Sequence, residues 1–293
     1  MISAASKSIL GVVARSSPSM VCGRQASRGC QATPLRAFAS DAPSSSPVYV
    51  VFGATGGIGS ALAARLAIQP GAKLVLVARD AAKLDTLRGS LPPGADATAL
   101  MADVTDAKEV EAAIAGAVTA YGRIDSVANC VGSIVLKSAH TTSDEEFDKV
   151  VRLNLNSCFY ILRSAVKRMM PSGGGSVVFC SSAVARHGIP NHEAIAAAKA
   201  GVQGLALSAA ATYAPKNIRV NCVAPGLTRT PLSARITGSP GALKASESMH
   251  ALRRIGEADE VAAALEFLMA PSNCFITGQV LGVDGGLSSL KPQ

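Results

Sequence analysis

The 293-residue sequence contains no tryptophan, and aromatic residues make up only 4% of it. Proteins that bind single-stranded nucleic acid use aromatic side chains on which the bases stack. The formal net charge is +8, but five basic residues fall in the first 38 positions, which hold no acidic residue. The rest of the chain has 23 basic against 20 acidic residues, or +3. The sequence therefore predicts no nucleic-acid partner.

Long uncharged apolar runs are also missing. The alanine-rich stretch after residue 192 is interrupted by Glu193 and Lys199. Since a membrane-spanning helix needs about 20 predominantly apolar residues, we expect no membrane segment. A content of 48% apolar and 16% charged residues is typical of a globular protein, and the length suits one large domain or two small ones.

The cysteines form no C-x-x-C pair. Cys22 and Cys30 lie in the basic N-terminal segment, which leaves five others. An odd number of unpaired cysteines predicts small buried thiols in a reducing compartment, and neither a disulfide framework nor a zinc site. The five are Cys130, Cys158, Cys180, Cys222 and Cys274.

Residues 1–38 differ in composition from the rest of the chain. They are rich in Ser, Ala and Arg, and the Arg-Ala-Phe-Ala-Ser run follows at residues 36–40. This composition is typical of an organelle transit peptide, and the apolar run at residues 9–13 is too short for a secretory signal. We expect the mitochondrial matrix, with the chloroplast stroma and an N-terminal tail without targeting function as alternatives. The folded domain is then residues 39–293.

From residue 46 onward, short apolar runs alternate with helical segments, which is typical of a parallel sheet covered on both faces. A capping box at residues 143–146 predicts the start of a long helix that ends near residue 170, before Pro171 and three glycines. With no linker, the pattern predicts one doubly wound, Rossmann-like α/β domain with a seven-stranded parallel sheet. The predicted strands are 48–52, 73–78, 97–102, 124–130, 176–180, 218–223 and 279–283. The other predicted helices follow the first strand to about residue 68 and cover 106–121, 193–214 and 258–270, and residues 227–257 are expected to be irregular.

A glycine-rich turn, Gly53-Ala54-Thr55-Gly56-Gly57-Ile58-Gly59, follows the first strand. Gly53 allows a tight turn, Gly57 allows the backbone to approach a pyrophosphate, and Gly59 allows the helix to lie close to the sheet. The N–H groups at the start of the helix would bind the phosphates. Glycine spacing alone also fits a plain packing turn, but the strand before it and the helix after it favour a dinucleotide site.

The G-x-x-x-G-x-G spacing resembles the short-chain dehydrogenase/reductase family. Further segments follow in that family's order over residues 47–287, and Phe52 and the Cys130-Val131 pair depart from its usual residues. These segments are Asp103-Val104, Asn129-Cys130-Val131-Gly132, Asn154, Pro225-Gly226 with Thr228 and Thr230, and Asp284-Gly285-Gly286.

The resemblance implies an oxidoreductase with a nicotinamide cofactor. It assigns Asp103 and Val104 to the adenine, Asn129 to the adenosine side, and residues 225–230 (Pro225, Gly226, Thr228 and Thr230) to the nicotinamide side. It also makes residues 227–257 a lid over a small-molecule substrate. Because this family pairs the helix at 193–214 across a two-fold axis, and that helix is rich in Ala and Gly, we expect a homodimer or homotetramer.

The choice of nucleotide depends on the end of the second strand. NAD needs a carboxylate there for the ribose 2′-OH, whereas NADP needs a cation for the 2′-phosphate. The family's acidic position falls on Ala78, and Arg79 follows. We therefore expect NADP(H), although NAD(H) stays possible if Arg79 is only a solvated charge and Asp80 only a helix cap.

The catalytic set implied by the resemblance is incomplete. In this family a Tyr four residues before a Lys moves the proton, a Ser binds the carbonyl oxygen, and an Asn orders a water. Asn154, Ser182 and Lys199 stand at the matching positions, but Ile195 occupies that of the Tyr. Isoleucine can neither donate nor accept a proton.

His192 is the proposed replacement, since it lies seven residues, or about two helical turns, before Lys199. Related enoyl-thioester reductases place their Tyr at that spacing, and histidine exchanges protons readily near neutral pH. A capping or surface histidine is the alternative. His187 is predicted to lie in a loop, and Tyr160 and Tyr213 are predicted to be packing residues.

Two functions remain open at this point. The favoured one is an NADP(H)-dependent oxidoreductase acting on a carbonyl, an alcohol or a conjugated thioester. The alternative is a nucleotide-binding protein without turnover, which Ile195 favours. Basic lid residues such as Arg235 and Lys244 could meet an acidic substrate, but solvated charges are the simpler interpretation.

Overall fold

A computed structural model describes residues 46–291. The predicted transit peptide at residues 1–38 lies outside the described residues. The strands are β1 (Val48–Phe52), β2 (Lys73–Ala78), β3 (Asp96–Met101), β4 (Ser126–Asn129), β5 (Gly175–Cys180), β6 (Ile218–Pro225), β7 (Thr228–Arg229), β8 (Gly256–Glu257) and β9 (Val280–Val283).

Seven of these strands form one parallel sheet in the order β3-β2-β1-β4-β5-β6-β9, which confirms the predicted doubly wound fold. The chain order reverses between β1 and β4, where Phe52 pairs with Asn129. In doubly wound sheets, ligands bind outside the carboxyl ends of the strands at such a reversal. The fold therefore places a crevice directly after the glycine-rich turn.

Helices cover both faces of the sheet. They are α1 (Gly57–Ala67), α2 (Ala81–Ser90), α3 (Ala107–Tyr121), α4 (Asp144–Val151), α5 (Ser157–Met169), α6 (Glu193–Tyr213), α7 (Ala234–Thr237), α8 (Pro240–Met249) and α9 (Ala258–Met269). Helices α3, α5 and α6 pack on one face around Phe52, which is fully buried. Helices α1, α2 and α9 pack on the other face. Each face thus has its own apolar core, as expected when a sheet is buried on both sides.

Several predicted boundaries were wrong by one or two residues, and three segments differ from the prediction in more than a boundary. Strand β4 begins at Ser126 and not at residue 124, because the Asp125 carboxylate accepts the Val48 N–H at 2.8 Å. The helix predicted at 143–170 does begin with the capping box, but a π-helical turn at Arg152–Asn156 divides it. The segment 227–257 is not irregular, since it contains α7 and α8. Residues 81–90, for which no helix was predicted, form α2.

The expectation about membrane segments also needs a correction. The helical segment Glu193–Lys216 is long and apolar enough to cross a membrane by length and composition. In the structure, 44% of its most apolar window is buried inside the protein, and Val202 and Ala206 pack into the core of the sheet. The apolar character of α6 is thus partly explained by its position as a core helix.

Candidate active-site cleft

The glycines of the glycine-rich turn occupy positions where a side chain would not fit. Gly53 has a φ of +75°, and a Cβ on Gly59 would lie 2.1 Å from the Gly53 carbonyl oxygen. Helix α1 begins at Gly57 with no side-chain cap and no acidic residue in its first turn. Its first N–H groups and the positive end of its dipole therefore remain available to an anion. The turn fits the pyrophosphate of a dinucleotide.

Two cavities flank this turn. The first has a volume of about 250 Å³, and the second, which we call the active-site cleft, has a volume of about 410 Å³. Ile58, Gly132 and Thr230 line both, so the cavities adjoin each other. A Cβ on Gly57 would lie 2.8 Å from the Thr230 side chain. Only glycine fits beneath this lid residue.

The first cavity collects residues predicted to bind the adenosine half of the cofactor. Thr55, Gly57, Arg79 and Val104 line it, as does Ile58. The Arg79 side chain is exposed, and this residue forms no ion pair within residues 46–291. A cation is therefore available where the resemblance expects the 2′-phosphate.

The acidic neighbour of Arg79 has a structural role. The Asp80 carboxylate accepts the Lys83 N–H at 3.1 Å and caps the start of α2. This hydrogen bond lowers the pKa of Asp80. The interpretation of Asp80 as a helix cap is thus confirmed.

Three predicted cofactor residues do not line either cavity. Gly59 is buried in the turn, and the Asp103 carboxylate accepts the Thr105 N–H and hydroxyl at 2.8 Å each. These hydrogen bonds, led by that of the Thr105 N–H, lower the pKa of Asp103. Asn129 is fully buried, and its Oδ1 accepts the Val131 N–H at 3.0 Å. Asn129 therefore fixes the loop after β4.

The other predicted cofactor residues lie in the active-site cleft. Pro225, Gly226, Thr228 and Thr230 line it together with Lys199. The Thr228 hydroxyl donates to the Gly226 carbonyl oxygen at 3.2 Å. The end of β6 and the start of the lid thus form one wall of the cleft.

Asn154 and Lys199 meet around Gly132. A Cβ on Gly132 would lie 3.2 Å from Asn154 Oδ1 and 3.3 Å from Lys199 Nζ, so a side chain here would press on both. Lys199 is only 5% exposed, and its Nζ donates to the Cys180 carbonyl oxygen at 2.8 Å. Asn154 Oδ1 accepts the Ser133 N–H at 3.1 Å. Both side chains are held in place by backbone groups.

The π-helical turn positions Asn154. Within this turn, Asn154 Nδ2 donates to the Val150 carbonyl oxygen and to the Ser133 hydroxyl, both at 2.9 Å. Single π turns inside α-helices are frequent at functional sites. No sequence signal predicted this turn, because the apolar periodicity of a helix continues through it.

Ser182 and Ile195 face the same cleft. Ser182 lines it at the start of a short 3₁₀ turn, and its Oγ accepts the Val184 N–H at 3.4 Å. Ile195 is 5% exposed and packs with Val150, Ala194 and Ala198. Where the resemblance expects a phenol, the cleft therefore has an aliphatic wall.

His192 lines the cleft directly before α6. Its Nδ1 lies 2.7 Å from the Pro190 carbonyl oxygen, which can only accept a hydrogen bond. Nδ1 therefore carries the proton, and Nε2 remains to exchange a proton with a ligand. His192 is the N-cap residue of α6, although its side chain makes no capping hydrogen bond.

Comparison with known proteins identifies the family. The profile described as enoyl-(acyl carrier protein) reductase matches residues 53–288. The chain is 36% identical over 253 residues to levodione reductase of Leifsonia aquatica, and the alignment covers 83% of this chain and 94% of that protein. It is 35% identical over 243 residues to the 3-oxoacyl-(acyl-carrier-protein) reductase FabG of Thermotoga maritima, covering 82% and 97%. The chain belongs to the short-chain dehydrogenase/reductase family.

One relative of known structure was solved with a bound cofactor. A variant of the actinorhodin polyketide ketoreductase, solved with NADPH, has a TM-score of 0.79 and 29% identity, and covers 84% of this chain and 98% of that one. The described chain is thus a Rossmann-like, nucleotide-binding oxidoreductase domain.

A second histidine, His250, also lines the cleft, but both of its ring nitrogens make hydrogen bonds. His250 is 1% exposed, its Nδ1 donates to the Ser246 carbonyl oxygen at 2.7 Å, and its Nε2 accepts the Leu227 N–H at 3.3 Å. His250 therefore joins the lid helix α8 to the end of β6. Among the described residues lining the cleft, His192 alone offers a free imidazole nitrogen.

Of the five described cysteines, three are buried, Cys130 is half-buried and Cys274 is exposed. Cys130 and Cys180 line the cleft, and burial raises the pKa of Cys180 to about 11 and that of Cys130 well above its usual value. Both stay protonated near neutral pH and are poor nucleophiles. The five cysteines of the described region are free thiols, but Cys274 is exposed, so the prediction of burial was wrong there.

Sequence reasoning missed several apolar residues that line the cleft together with the catalytic groups. Ile134 and Leu136 come from the loop after β4, and Leu232, Ile236 and Met249 come from the lid. The Ile-Val-Leu run at residues 134–136 could have predicted the apolar lining that comes from the loop after β4. The apolar lining from the lid could not be predicted, because these residues face the cleft only once the lid, including α8, has folded.

Proposed function

We propose that this chain is an NADP(H)-dependent oxidoreductase that interconverts a carbonyl group and an alcohol, or reduces a conjugated thioester. One observation carries the proposal: Ser182, His192 and Lys199 line a single cleft that adjoins the glycine-rich turn of α1. Relatives named as reductases support it.

His192 supplies the proton at Nε2, because Nδ1–H is held by the Pro190 carbonyl oxygen. When bound, the nicotinamide supplies or accepts a hydride. During reduction, the imidazolium donates its Nε2 proton to the carbonyl oxygen, which also accepts a hydrogen bond from the Ser182 hydroxyl. During oxidation, the neutral Nε2 removes the proton of the alcohol.

Lys199 supports this chemistry electrostatically. Its buried ammonium group stabilises negative charge that develops on the substrate oxygen. Asn154 holds the loop at Ser133 against the cleft. The hypothesis of a binding protein without turnover depends on Ile195, whereas the position of His192 in the same cleft supports turnover.

NADP(H) is the preferred cofactor in this proposal, and NAD(H) is the alternative. Arg79 lines the first cavity, and no carboxylate occupies position 78. A guanidinium can bind a 2′-phosphate through charge-assisted hydrogen bonds. The ketoreductase relative solved with NADPH is consistent with this choice.

The proposed activity is tested with the full-length protein. NADPH oxidation is followed with a panel of ketones, aldehydes and enoyl thioesters, while NADPH binding to the same preparation is titrated by fluorescence. We expect NADPH binding together with turnover of at least one carbonyl or enoyl compound. NADPH binding with no turnover across the panel would favour the alternative of a binding protein.

We also propose that the chain assembles into a homodimer or homotetramer through α6. Helix α6 exposes an apolar stripe at a spacing of three and four residues, and a Cβ on Gly204 would meet open space. The stripe contains Ala197, Ala200, Gly204, Leu207 and Ala211. Light scattering at micromolar concentration tests this proposal, and a monomer would refute it.

For localisation, we propose that residues 1–38 direct the chain to the mitochondrial matrix, with the chloroplast stroma as the alternative. The support is the basic, acid-free composition of the segment. Import of the full chain into isolated mitochondria, with removal of the segment, is the expected result. Import into chloroplasts alone would favour the alternative.

A further inference from the structure

A separate cavity of about 390 Å³ lies beside the active-site cleft. It is lined by His187, Ser248, Met249, Arg253, Leu287, Leu290 and Lys291. Met249 and Leu287 also line the active-site cleft. The two cavities therefore adjoin each other, and one elongated ligand could occupy both.

The lining of this side cavity carries charge of one sign. Arg253 and Lys291 are cations, and no acidic residue is among the described residues that line it. Cations with no partner acid attract an anionic group, most strongly at low ionic strength. The neighbouring Arg254, in contrast, pairs with Glu260 at 2.6 Å and does not line the cavity.

Arg253 is held in an unfavourable backbone conformation. Its φ is +58°, a left-handed geometry that is unfavourable for a non-glycine residue. Its Nη1 donates to the Ser248 carbonyl oxygen at 3.0 Å, which fixes the guanidinium. Within residues 46–291, its Nε and Nη2 donate no further hydrogen bond and remain for a ligand. Such strain persists at functional sites more often than elsewhere.

The active-site cleft itself has the opposite character. Lys199 is the one lysine or arginine among the described residues that line it, and its Nζ donates a hydrogen bond to the Cys180 carbonyl oxygen. The basic lid residues point elsewhere, since Arg229 pairs with Glu257 at 3.2 Å and neither Arg235 nor Lys244 lines the cleft. The cleft therefore suits an uncharged, apolar body.

We propose that the substrate is an amphiphile, with its reacting carbonyl or alcohol carbon and an apolar body in the active-site cleft and an anionic oxygen group in the side cavity. This inference rests on the proposed function for the reacting group. The anionic end is assigned by Arg253 and Lys291, and it is remote from the reacting carbon. A carboxylate or a phosphate would satisfy the same cations.

Matched pairs of ligands test the anionic end by binding, so that turnover is not required. The probes are 4-oxopentanoate, 6-oxoheptanoate and 8-oxononanoate, each compared with its methyl ester, and the phosphate ester of 7-hydroxyheptan-2-one compared with the free alcohol. Dissociation constants are measured by calorimetry on the full-length protein saturated with NADP+, which has no hydride to transfer to these ketones. We expect the best acid, or the phosphate, to bind at least fivefold tighter than its neutral partner in 20 mM salt. This preference should shrink in 500 mM salt.

Adjacent arginines provide a matched control. Arg253→Gln should bring each acid and ester within twofold of one another, whereas Arg254→Gln should keep the preference. Arg253→Gly removes the backbone strain as well as the charge, so it should fold at least as well as the native chain and still lose the preference.

Equal binding of acids, phosphates and neutral partners by the native protein would overturn the proposal, as would a preference that survives Arg253→Gln and Arg253→Gly. The outcome is independent of catalysis. If the acids bind preferentially but no compound is turned over, the proposed function fails while the anionic site stands. If neutral ketones are turned over but acids do not bind preferentially, the anionic site fails while the proposed function stands.

Discussion

His192 holds its Nδ1 atom 2.7 Å from the carbonyl oxygen of Pro190. Because a carbonyl oxygen accepts and cannot donate, this contact fixes the imidazole so that Nε2 is the atom left for proton exchange. Asn191, between these two residues, has a φ of +63°. The loop thus turns sharply enough to bring the ring back onto its own backbone.

Arg79 should determine the preference for NADPH. Removing its guanidinium by Arg79→Ala should weaken NADPH binding by about 1.5–3 kcal/mol, the range for a hydrogen bond to a charged group, and leave NADH binding unchanged. Fluorescence titration measures both. The control is Arg88→Ala on the exposed face of α2, where the side chain pairs with Asp85. Equal affinity of the native protein for NADPH and NADH would contradict this prediction.

His250 should stabilise the lid. His250→Leu leaves the half-buried Leu227 N–H and the buried Ser246 carbonyl without their partner, so the free energy of unfolding should fall by about 2 kcal/mol. Urea denaturation measures this change. His140→Leu, at an exposed site, should change stability by less than about 0.5 kcal/mol. A loss no larger than that of the control would show that these hydrogen bonds do not support the lid.

The buried thiols should make the fold sensitive to alkali. The pKa of Cys180 is raised by burial to about 11, whereas an unfolded cysteine ionises near about 8.5. The stability contribution of the neutral thiol is therefore fully present below the unfolded pKa and is lost as the pH rises towards the folded pKa. Between pH 8 and pH 10, the native protein should lose about 2 kcal/mol more than Cys180→Ala does. Parallel losses in urea denaturation at the two pH values would exclude this effect.

Ile195→Tyr should create or raise carbonyl reductase activity. The new phenol would lie one turn before Lys199, whose charge lowers a phenol pKa, and general acid catalysis contributes about 10²–10⁴-fold. The larger ring enters the cluster of Val150, Ala194 and Ala198, so we also expect a loss of about 1–3 kcal/mol of stability. Assays of NADPH oxidation and thermal unfolding measure the two effects. A folded variant without any gain in activity would show that residue 195 is not the only defect.

The sequence predicted the sheet and the glycine-rich turn, because strand periodicity and glycine spacing are local signals. The expectation that the end of β6 lines the site came from the family resemblance and not from these signals. The sequence did not predict the path of residues 227–257. The lid depends on contacts such as His250 with Leu227, which lie 23 residues apart in sequence.

The roles of individual polar residues were harder to predict. Asn129 was assigned to the cofactor, but its amide is engaged in packing with Cys158 and Val131. The sequence does not distinguish the roles of His192 and His250. In the structure, both ring nitrogens of His250 make hydrogen bonds, whereas only Nδ1 of His192 does. Such differences arise from tertiary contacts, which composition and spacing do not encode.

The rate of NADPH oxidation by His192→Gln, compared with the native full-length protein on the best carbonyl or enoyl substrate, tests the central claim most directly. Because Nε2 is the proposed proton donor, kcat should fall by about 10²–10⁴-fold while the dissociation constant of NADPH stays unchanged. His140→Gln, at an exposed site that lines neither the active-site cleft nor the side cavity, should retain more than half of the native kcat. Adding Ile195→Tyr to His192→Gln should restore turnover. Full turnover by His192→Gln, or no turnover by the native protein on any compound, would contradict this account.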